Sequence, residues 1–369
     1  GRFGRAMDSS SGSASVAVRI GALCGISYLI WKIWKSDQKE SLGCSSNFHQ
    51  IRAGFDVGSG ATKMQVAAFD PTTKKLAKVF FSEQVEAMYS HDLASNANGE
   101  LSSAMLKKGL QVLREFNNVA AKHGCDKDNM RGIATAVFRK AKNGQEYLRL
   151  VRRELGIRLN CIDQDLEGKI GYMTGRAFAS SNNVLVWDSG GGSFQITGEG
   201  KEAGVVEMFG EAIGSSVVTD LAVRLQGKTF DKCKTPNPMT PKDADRLQEE
   251  IHIMLEAKTI PLWLRQKLDA GAEVVAIGGP TCAFRMCAQA TGKNPFRVSD
   301  ISMAIQELVG STDDDFEAKE FLQPSMVITK LVLVMTVMKK LGIKSVKYSP
   351  TNGSTTGVLL TPQIWETQW

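Results

Sequence analysis

The chain has 369 residues, of which 43% are hydrophobic and 23% are charged, and its formal net charge is +6. These values exclude an intrinsically disordered chain and allow two domains with cores of their own. Lysine and arginine are spread along the sequence without interleaved aromatic residues, which argues against nucleic-acid binding and suits an anionic small molecule. The seven cysteines include no C-x-x-C pair, which indicates free thiols rather than a disulfide framework or a zinc site.

The first 50 residues divide into three segments by composition. Residues 1–14 are small, polar and serine-rich, which predicts a disordered leader. Residues 15–35 form a candidate transmembrane anchor, because residues 16–34 are largely apolar and the run from Ile20 to Trp31 carries no charge. Residues 36–50 are predicted to be a linker.

The apolar run is short for a membrane span, so it also fits a signal-peptide core or a buried helix. An arginine-bearing leader with few acids is similar to organelle-targeting sequences. We therefore expect a membrane-anchored, organellar protein, with the mitochondrion favoured and a larger membrane complex among its candidate partners.

A glycine-rich hairpin is predicted at the start of the soluble part. From Ala53 to Val66 the sequence reads AGFDVGSGATKMQV, which is an apolar strand, an acid, a short turn and an alternating strand back. Glycines let backbone N–H groups point into the turn with no Cβ in the way, which makes a seat for phosphate oxygens. Gly58, Ser59 and Gly60 are therefore candidate phosphate-binding residues.

Strands and helices alternate after this hairpin. The predicted elements are strand 76–81, helix 103–123, strand 131–137, helix 144–155, strand 157–162 and a helix from 163 to about 179. Strand 131–137 is expected to deliver Arg139 at its end, and Asn143 with Glu146 is expected to form a capping box. The alternation predicts a layered α/β domain with a largely parallel sheet over residues 51–180.

A second glycine-rich hairpin follows, in which the sequence VLVWDSGGGSFQIT runs from Val184 to Thr197. Its turn residues Gly190, Gly191, Gly192 and Ser193 form a second candidate phosphate seat. Asp188 lies beside that seat, where it could hold Mg²⁺ or orient a water. A flexible hairpin with an exposed acid is the alternative for either turn alone, but two similar turns suggest related halves that face each other across a cleft.

The second half is predicted to span residues 181–369. Its elements are strand 205–209, helix 215–225, a helix from Pro241 capped by Thr240, strand 273–280, helix 324–341, strand 344–348 and a terminal helix after loop 349–357. Strand 273–280 ends in Gly278 and Gly279. Because ligands bind at strand ends in open α/β sheets, the loops at Asp56, Asp188, Gly278 and Asn352 are expected to converge on one cleft.

Taken in this order, the motifs resemble the exopolyphosphatase and guanosine pentaphosphatase (Ppx/GppA) family. The motifs are DVGS, ATAVFRKAKNG, IDQDLEGKIGYMTG, DSGGGSFQ, AIGGP and a C-terminal glycine loop, and together they cover about residues 52–360. EGKIGY and GGGSFQ are also similar to segments of the apyrases. The resemblance implies two actin-like ATPase subdomains with a cleft between them, Mg²⁺ as cofactor, and a phosphoanhydride small molecule or polyphosphate as substrate.

The resemblance also assigns roles to residues of this chain. Glu167 matches the family's catalytic carboxylate, a general base, although an acid in a first helical turn also simply complements the helix dipole. Arg139 would neutralise phosphate charge. The expected metal or water partners are Asp56, Asp188 and Gln195, and the expected phosphate seats are Gly58, Ser59, Gly60, Gly190, Gly191, Gly192, Ser193, Gly278 and Gly279.

Several residues depart from the family pattern. Gln195 stands where the bacterial family usually has Glu, which puts Mg²⁺ affinity in question, although the apyrase pattern has Gln there. Leu166, Gly60, Phe194 and Ser189 also differ from the common residues. These changes suit an active enzyme of altered preference and equally an enzyme that has lost activity.

Three functional hypotheses follow. The first is a membrane-tethered phosphatase that hydrolyses the terminal phosphoanhydride of polyphosphate, guanosine pentaphosphate or a nucleoside triphosphate. The second is a catalytically weakened accessory subunit of an organellar membrane complex, because a fold alone does not fix a function. The third is a nucleotide-sensing regulator that binds its ligand without turnover.

Overall fold

The computed structural model describes residues 49–366 apart from residues 203, 229–234 and 258. From His49 onward the chain forms one compact unit. The predicted leader, the predicted anchor and nearly all of the linker lie outside the described residues. Within the described part, the helices are too short or too polar to span a bilayer.

The first sheet has five strands in the order β3-β2-β1-β4-β5. The strands are β1 Gln50–Val57, β2 Ala61–Asp70, β3 Lys75–Glu86, β4 Met130–Ala134 and β5 Arg158–Cys161. Strands β1, β2 and β3 form an antiparallel meander, and β4 and β5 continue the sheet parallel to β1. The sheet is therefore mixed, and the prediction of a largely parallel sheet is wrong because the hairpin continues into a third antiparallel strand.

Five helices follow β3 and precede the second sheet in the chain, and the last of them packs against that sheet. They are α1 Tyr89–Ser95, α2 Ser103–Lys122, α3 Ala136–Lys140, α4 Gly144–Leu155 and α5 Gln164–Arg176. The apolar faces of α2 and α4, which include Leu113 and Val151, pack in one core with buried side chains of the sheet such as Phe55. This burial of apolar stripes against one sheet face gives the first half a core of its own.

Two local predictions in this half are wrong. The strand predicted to reach Val137 ends at Ala134, so Arg139 lies in the short helix α3 instead of at a strand end. Asn143 does not cap α4; its side chain accepts a hydrogen bond from Leu101 N (3.0 Å) and donates to Leu101 O (2.8 Å). A distant backbone partner has therefore replaced the local one. The predicted end of α4 is confirmed, since Gly156 adopts φ 74°.

The second sheet repeats this arrangement and extends it. Its order is β10-β11-β9-β6-β7-β8, with β6 Val184–Ser189, β7 Phe194–Glu199, β8 Val206–Glu211, β9 Glu273–Gly278, β10 Phe296–Arg297 and β11 Ser345–Pro350. Strands β6, β7 and β8 form an antiparallel meander, and β9 is parallel to β6 as β4 is to β1. The two glycine-rich hairpins therefore occupy equivalent places in two related sheets.

Helices pack around the second sheet in the same manner. They are α6 Ser215–Leu225, α7 Pro241–Glu256, α8 Leu262–Asp269, α9 Ala283–Thr291, α10 Val298–Leu308, α11 Asp313–Ala318 and α12 Val327–Leu341. Helix α12 is buried along almost its whole length and lies in the main apolar core. The predicted start of α7 is confirmed, because Thr240 and Asp243 form a capping box with Pro241 at the first turn.

The C-terminal helices return to the first half. Helix α13 spans Thr355–Leu360 and α14 spans Pro362–Glu366. Gly357 N donates to Thr174 Oγ1 of α5 (2.9 Å), and the guanidinium of Arg52 on β1 lies over the rings of Phe69 (3.6 Å) and Trp365 (4.3 Å). The chain that leaves β11 of the second sheet thus closes over the first.

Glycine at position 357 permits this close crossing. A Cβ there would lie 2.0 Å from Ile170 O, so we expect Gly357→Ala to lower the free energy of unfolding by about 1–3 kcal/mol. The control is Gly171→Ala on helix α5, next to Ile170, where a Cβ meets open space and helix propensity predicts a gain of up to about 1 kcal/mol. Denaturant unfolding measures both; equal effects of the two changes would contradict the close crossing.

Candidate functional site

The first hairpin presents an acid beside an open turn. Asp56 ends β1 and is 5% exposed, and its Oδ2 accepts from Ser354 N (2.9 Å) and pairs with Lys63 Nζ (3.2 Å). Gly58 N closes the turn by donating to Ala61 O (3.0 Å). Within the described chain, the N–H groups of Ser59 and Gly60 donate to no backbone carbonyl, so they are available to an anion; that they bind phosphate stays a prediction.

The second hairpin has the same construction. Gly190 N donates to Ser193 O (2.9 Å), which closes the turn, while the N–H groups of Gly191 and Gly192 have no backbone acceptor among the described residues. Asp188 reaches solvent, yet protein atoms surround its carboxylate closely enough for burial to raise its pKa. A carboxylate that both reaches solvent and has many protein atoms around it, as Asp188 does, lies in a concave part of the surface.

The turn of the second hairpin is held against the start of α6. Ser215 N donates to Gly190 O and Ser216 N donates to Gly191 O, both at 2.9 Å. These bonds use carbonyl oxygens and leave the N–H groups of Gly191 and Gly192 without a backbone acceptor in the described chain. A turn held in this way, with unpaired N–H groups, suits an oxyanion.

The two remaining loops connect the sheets at their strand ends. Thr351 N, after β11, donates to Gly278 O at the end of β9 (3.0 Å), and Asn352 Nδ2 donates to Met64 O (3.0 Å) and Glu83 O (2.7 Å) of the first sheet. The loop after β11 therefore contacts both the Gly278 loop and the first hairpin. Gly279 O accepts from Cys282 N (3.1 Å).

Glu167 and Arg139 form an ion pair at the start of α5. Asp163 caps this helix through Leu166 N (2.8 Å), which places Glu167 in the first turn. Both Nη1 and Nη2 of Arg139 donate to Glu167 Oε2 at 3.1 Å, and Nη1 also donates to Ile162 O. The Glu167 side chain remains 36% exposed, so the carboxylate is oriented by the guanidinium and still reaches solvent.

The charges of the site act on one another. Burial raises the pKa of Glu167, the hydrogen bond and charge of Arg139 lower it, and repulsion from Asp56 and Asp188 raises it again. Burial raises the pKa of Asp188, against the attraction of Lys63, with Asp56 adding repulsion. Carboxylates whose charges repel one another in this way lie close enough to form one site. The structure therefore brings Glu167 and Asp188 together with Asp56, which lies more than a hundred residues earlier in the sequence.

The donor set fits a Mg²⁺ ion that is held partly by phosphate. Within residues 49–366, no group of three or more His, Cys, Asp or Glu side chains is arranged to hold a metal. Gln195 uses its Nε2 to donate to Ser193 Oγ (2.8 Å), which leaves only its amide oxygen as a ligand. Asp188 makes no ion pair within the described chain. Because Mg²⁺ is usually bound by one or two carboxylates and substrate phosphates, Asp188 suits that chemistry.

Lys63 is the residue of this site that the sequence analysis missed. It stands directly opposite Asp56 in the β1–β2 register, and its charge also acts on Asp188. The short turn fixes that register, so the cross-strand pair was readable from the hairpin sequence. The contact of Ser354 N with Asp56 had no such signal, because it joins a backbone group to a side chain 298 positions away.

Comparisons with known proteins place the sequence in a family. The sequence model of the Ppx/GppA phosphatase family matches residues 79–360. The bifunctional 3-dehydroquinate synthase/phosphatase of Fusobacterium nucleatum is 25% identical over 178 residues, which are 46% of this chain and 26% of that protein. Exopolyphosphatase 1 of Mycobacterium tuberculosis is 26% identical over 106 residues, 28% of this chain and 30% of that protein. The matches thus span less than a third of either relative's length.

Solved structures show the same fold. The Aquifex aeolicus Ppx/GppA phosphatase (type II variant) superposes with a TM-score of 0.67 at 19% identity and covers 85% of this chain and 99% of that chain. A second structure of the Aquifex aeolicus family member gives 0.66 at 18% identity and covers 87% and 100%. At these identities the likeness establishes the two-sheet, actin-like architecture.

The raised pKa of Asp188 predicts a pH-dependent stability change. Above that pKa the ionised carboxylate destabilises the folded state, so Asp188→Asn is expected to raise the free energy of unfolding at neutral pH. The gain should shrink as the pH falls through the raised pKa and vanish below the ordinary value of 3.8, where the wild-type group is protonated in both states. Urea unfolding between pH 3 and pH 8 tests this, with the exposed Asp245→Asn as control; a constant difference would refute it.

Proposed function

The chain belongs to the Ppx/GppA phosphatase family, and from this premise we propose that it hydrolyses the terminal phosphoanhydride bond of an anionic substrate. Inorganic polyphosphate, guanosine pentaphosphate and a nucleoside triphosphate are the candidate substrates, and pocket shape decides among them. One observation carries the proposal: Glu167, Asp56 and Asp188 share a single electrostatic site with two turns whose N–H groups are available.

Glu167 is the proposed general base. Arg139 holds Oε2, so the other carboxylate oxygen is left to accept a proton from water. The water oxygen would bond to the terminal phosphorus as the bridging P–O bond breaks, and the shortened chain would leave with that electron pair. The raised pKa of Glu167 favours proton uptake, because a stronger base accepts the proton more readily.

The remaining residues would bind and orient the phosphates. The turn N–H groups at residues 59–60 and 191–192 would donate to phosphate oxygens from opposite sides. Lys63 pairs with Asp56 and its charge acts on Asp188, so it would also offset the negative charge of the incoming phosphates. Asp188 with Asp56, and the amide oxygen of Gln195, would hold Mg²⁺, which when bound neutralises phosphate charge and polarises the bond that breaks.

Phosphate release tests the proposed activity. With polyphosphate, guanosine pentaphosphate or ATP and Mg²⁺, we expect the wild type to release orthophosphate and Glu167→Gln to lower kcat by about 10²–10⁴, as loss of a general base does. Asp165→Asn, an exposed acid in the same helical turn, is the matched control and should leave kcat within about twofold. A wild type that cleaves none of the three substrates refutes the proposal and favours the accessory-subunit hypothesis.

The pH profile tests the partnership of Glu167 and Arg139. Activity requires ionised Glu167, so kcat/KM should fall as the pH drops through its raised pKa. Arg139→Gln removes the group that lowers this pKa, and the acid limb should therefore move to higher pH as well as losing amplitude. Lys140→Gln, which removes the neighbouring exposed charge, should leave the limb in place. An acid limb that stays fixed or moves to lower pH in Arg139→Gln would contradict the pairing.

We also propose that residues 16–34 tether the protein to an organellar membrane. The uncharged run from Ile20 to Trp31 supports this part of the proposal. Leu29→Asp with Ile30→Asp should abolish sedimentation of the full chain with liposomes, since each acid costs about 2.5–3.5 kcal/mol within a bilayer. Leu262→Asp, on the exposed surface of α8, is the control. Unchanged sedimentation of the double variant would end the tethering proposal.

A further inference from the structure

Helix α12 carries a lysine that is buried in the core of the second half. The Lys330 side chain is 1% exposed, and its Nζ donates to Thr281 O (2.7 Å) and to Gln323 Oε1. Within the described residues no carboxylate pairs with it. A buried charge without a counter-charge is costly to the fold, so a lysine in this place indicates a role beyond packing.

The surroundings of this lysine leave it charged at neutral pH. Burial lowers the pKa of Lys330 from 10.5 to about 8, against a smaller effect of the Cys282 and Cys287 thiols on α9. At pH 7 the group is therefore mainly an ammonium ion, and hydrogen bonds from a charged donor are stronger than those from a neutral one. The bond to Thr281 O thus ties helix α12 to the segment that joins β9 to α9.

That segment contains Gly279, one of the predicted phosphate seats. The carbonyl oxygen before it, Gly278 O, accepts from Thr351 N (3.0 Å) and from Tyr348 Oη (3.1 Å), so it faces β11. The C=O and N–H groups of a trans peptide point in opposite directions, so the N–H of Gly279 points away from β11, toward β6 on the other side of β9. This N–H donates to no backbone carbonyl in the part of the chain that the structure describes.

Strand β6 carries the second glycine-rich hairpin of the candidate site. It is parallel to β9, with Asp188 opposite Ile277. Burial raises the pKa of Cys282 to about 11, and the negative charge of Asp188 contributes to this rise. The start of α9 therefore lies near Asp188, and the N–H of Gly279 is directed toward the strand that bears this acid.

We propose that Lys330 is a positioning residue of the phosphate site: through Thr281 O it fixes residues 279–282, so that the N–H of Gly279 donates to a phosphate oxygen of the substrate. The proposal rests on the proposed function and adds to it a residue that does not contact the substrate. The turns at residues 59–60 and 191–192 are each closed by a hydrogen bond within their own hairpin, whereas residues 279–282 are tied to a core helix.

Hydrogen exchange of the full chain without substrate tests whether Lys330 holds the segment. Lys330→Met removes the charge and the donors, so the amide of Cys282, which donates to Gly279 O, should exchange about tenfold faster, the loss expected for a hydrogen bond from a charged group. Lys339→Met is the matched control. Lys339 lies about 14 Å further along the same helix and donates to Gln248 Oε1 (3.0 Å), so its loss should leave the Cys282 amide unchanged.

Phosphate release with Mg²⁺ and the candidate substrates tests the position of the seat. A misplaced N–H binds the substrate less tightly before and during the reaction alike, so Lys330→Met should raise KM about fivefold to tenfold and leave kcat within about threefold. A role in packing alone would lower the free energy of unfolding without separating KM from kcat in this way. Lys339→Met should leave both constants as in the wild type.

Lys330→Gln is the second variant, in case Lys330→Met does not fold. Its amide can still donate to Gln323, but the side chain is one bond too short to reach Thr281 O, so the same changes in exchange and KM are expected.

Unchanged KM, a loss of kcat without a rise in KM, or equal changes in Lys330→Met and Lys339→Met would overturn the proposal. A wild type that releases no phosphate refutes the proposed function, whereas unchanged exchange of the Cys282 amide refutes the role of Lys330. The two failures are therefore distinguishable.

Discussion

The carboxylate of Asp56 connects the parts of the chain on which the site depends. It pairs with Lys63 across the first hairpin and accepts the backbone N–H of Ser354, which follows the last strand of the second sheet. One buried acid therefore links the first phosphate turn to the loop that leaves the second sheet. Because a buried charge is stable only when it is paired, these contacts fix the turn and the loop relative to each other. The charges of Asp56 and Lys63 also act on Asp188, so the second hairpin lies near the first.

The site holds more negative charge than the fold alone would favour. Mutual repulsion and burial raise the pKa of Glu167 and of Asp188, and Lys63 and Arg139 offset only part of that cost. Carboxyl groups with pKa values shifted in this way are common where a protein binds a charged ligand or performs acid–base chemistry. A bound Mg²⁺ would supply the positive charge that these carboxylates lack. The arrangement that lowers the stability of the fold thus suits the proposed binding of Mg²⁺ with phosphate.

Much of the fold was predictable because local rules act strongly in this sequence. Both hairpins were found from their glycines, and helix α6 was predicted with the bounds Ser215–Leu225 that the structure shows. The failures have long-range causes. The Asn143 side chain hydrogen-bonds to the backbone of Leu101 rather than to its own helix. The apolar segment before Arg139 leaves the strand after Ala134 and continues as a helix. For the site, the separate motifs were recognisable, whereas their convergence depends on contacts between residues far apart in the chain.

The central claim is that Glu167 of helix α5 and Asp188 of strand β6 share one electrostatic site. Titration of Glu167 by carbon-13 NMR, in the wild type and in Asp188→Asn, measures this directly, because the change replaces one negative charge by a neutral group of the same shape. The account predicts that the pKa of Glu167 lies above 4.5 in the wild type and falls in Asp188→Asn, as the repulsion is removed. An identical titration of Glu167 in both proteins would show that the two acids do not share a site and would contradict the account.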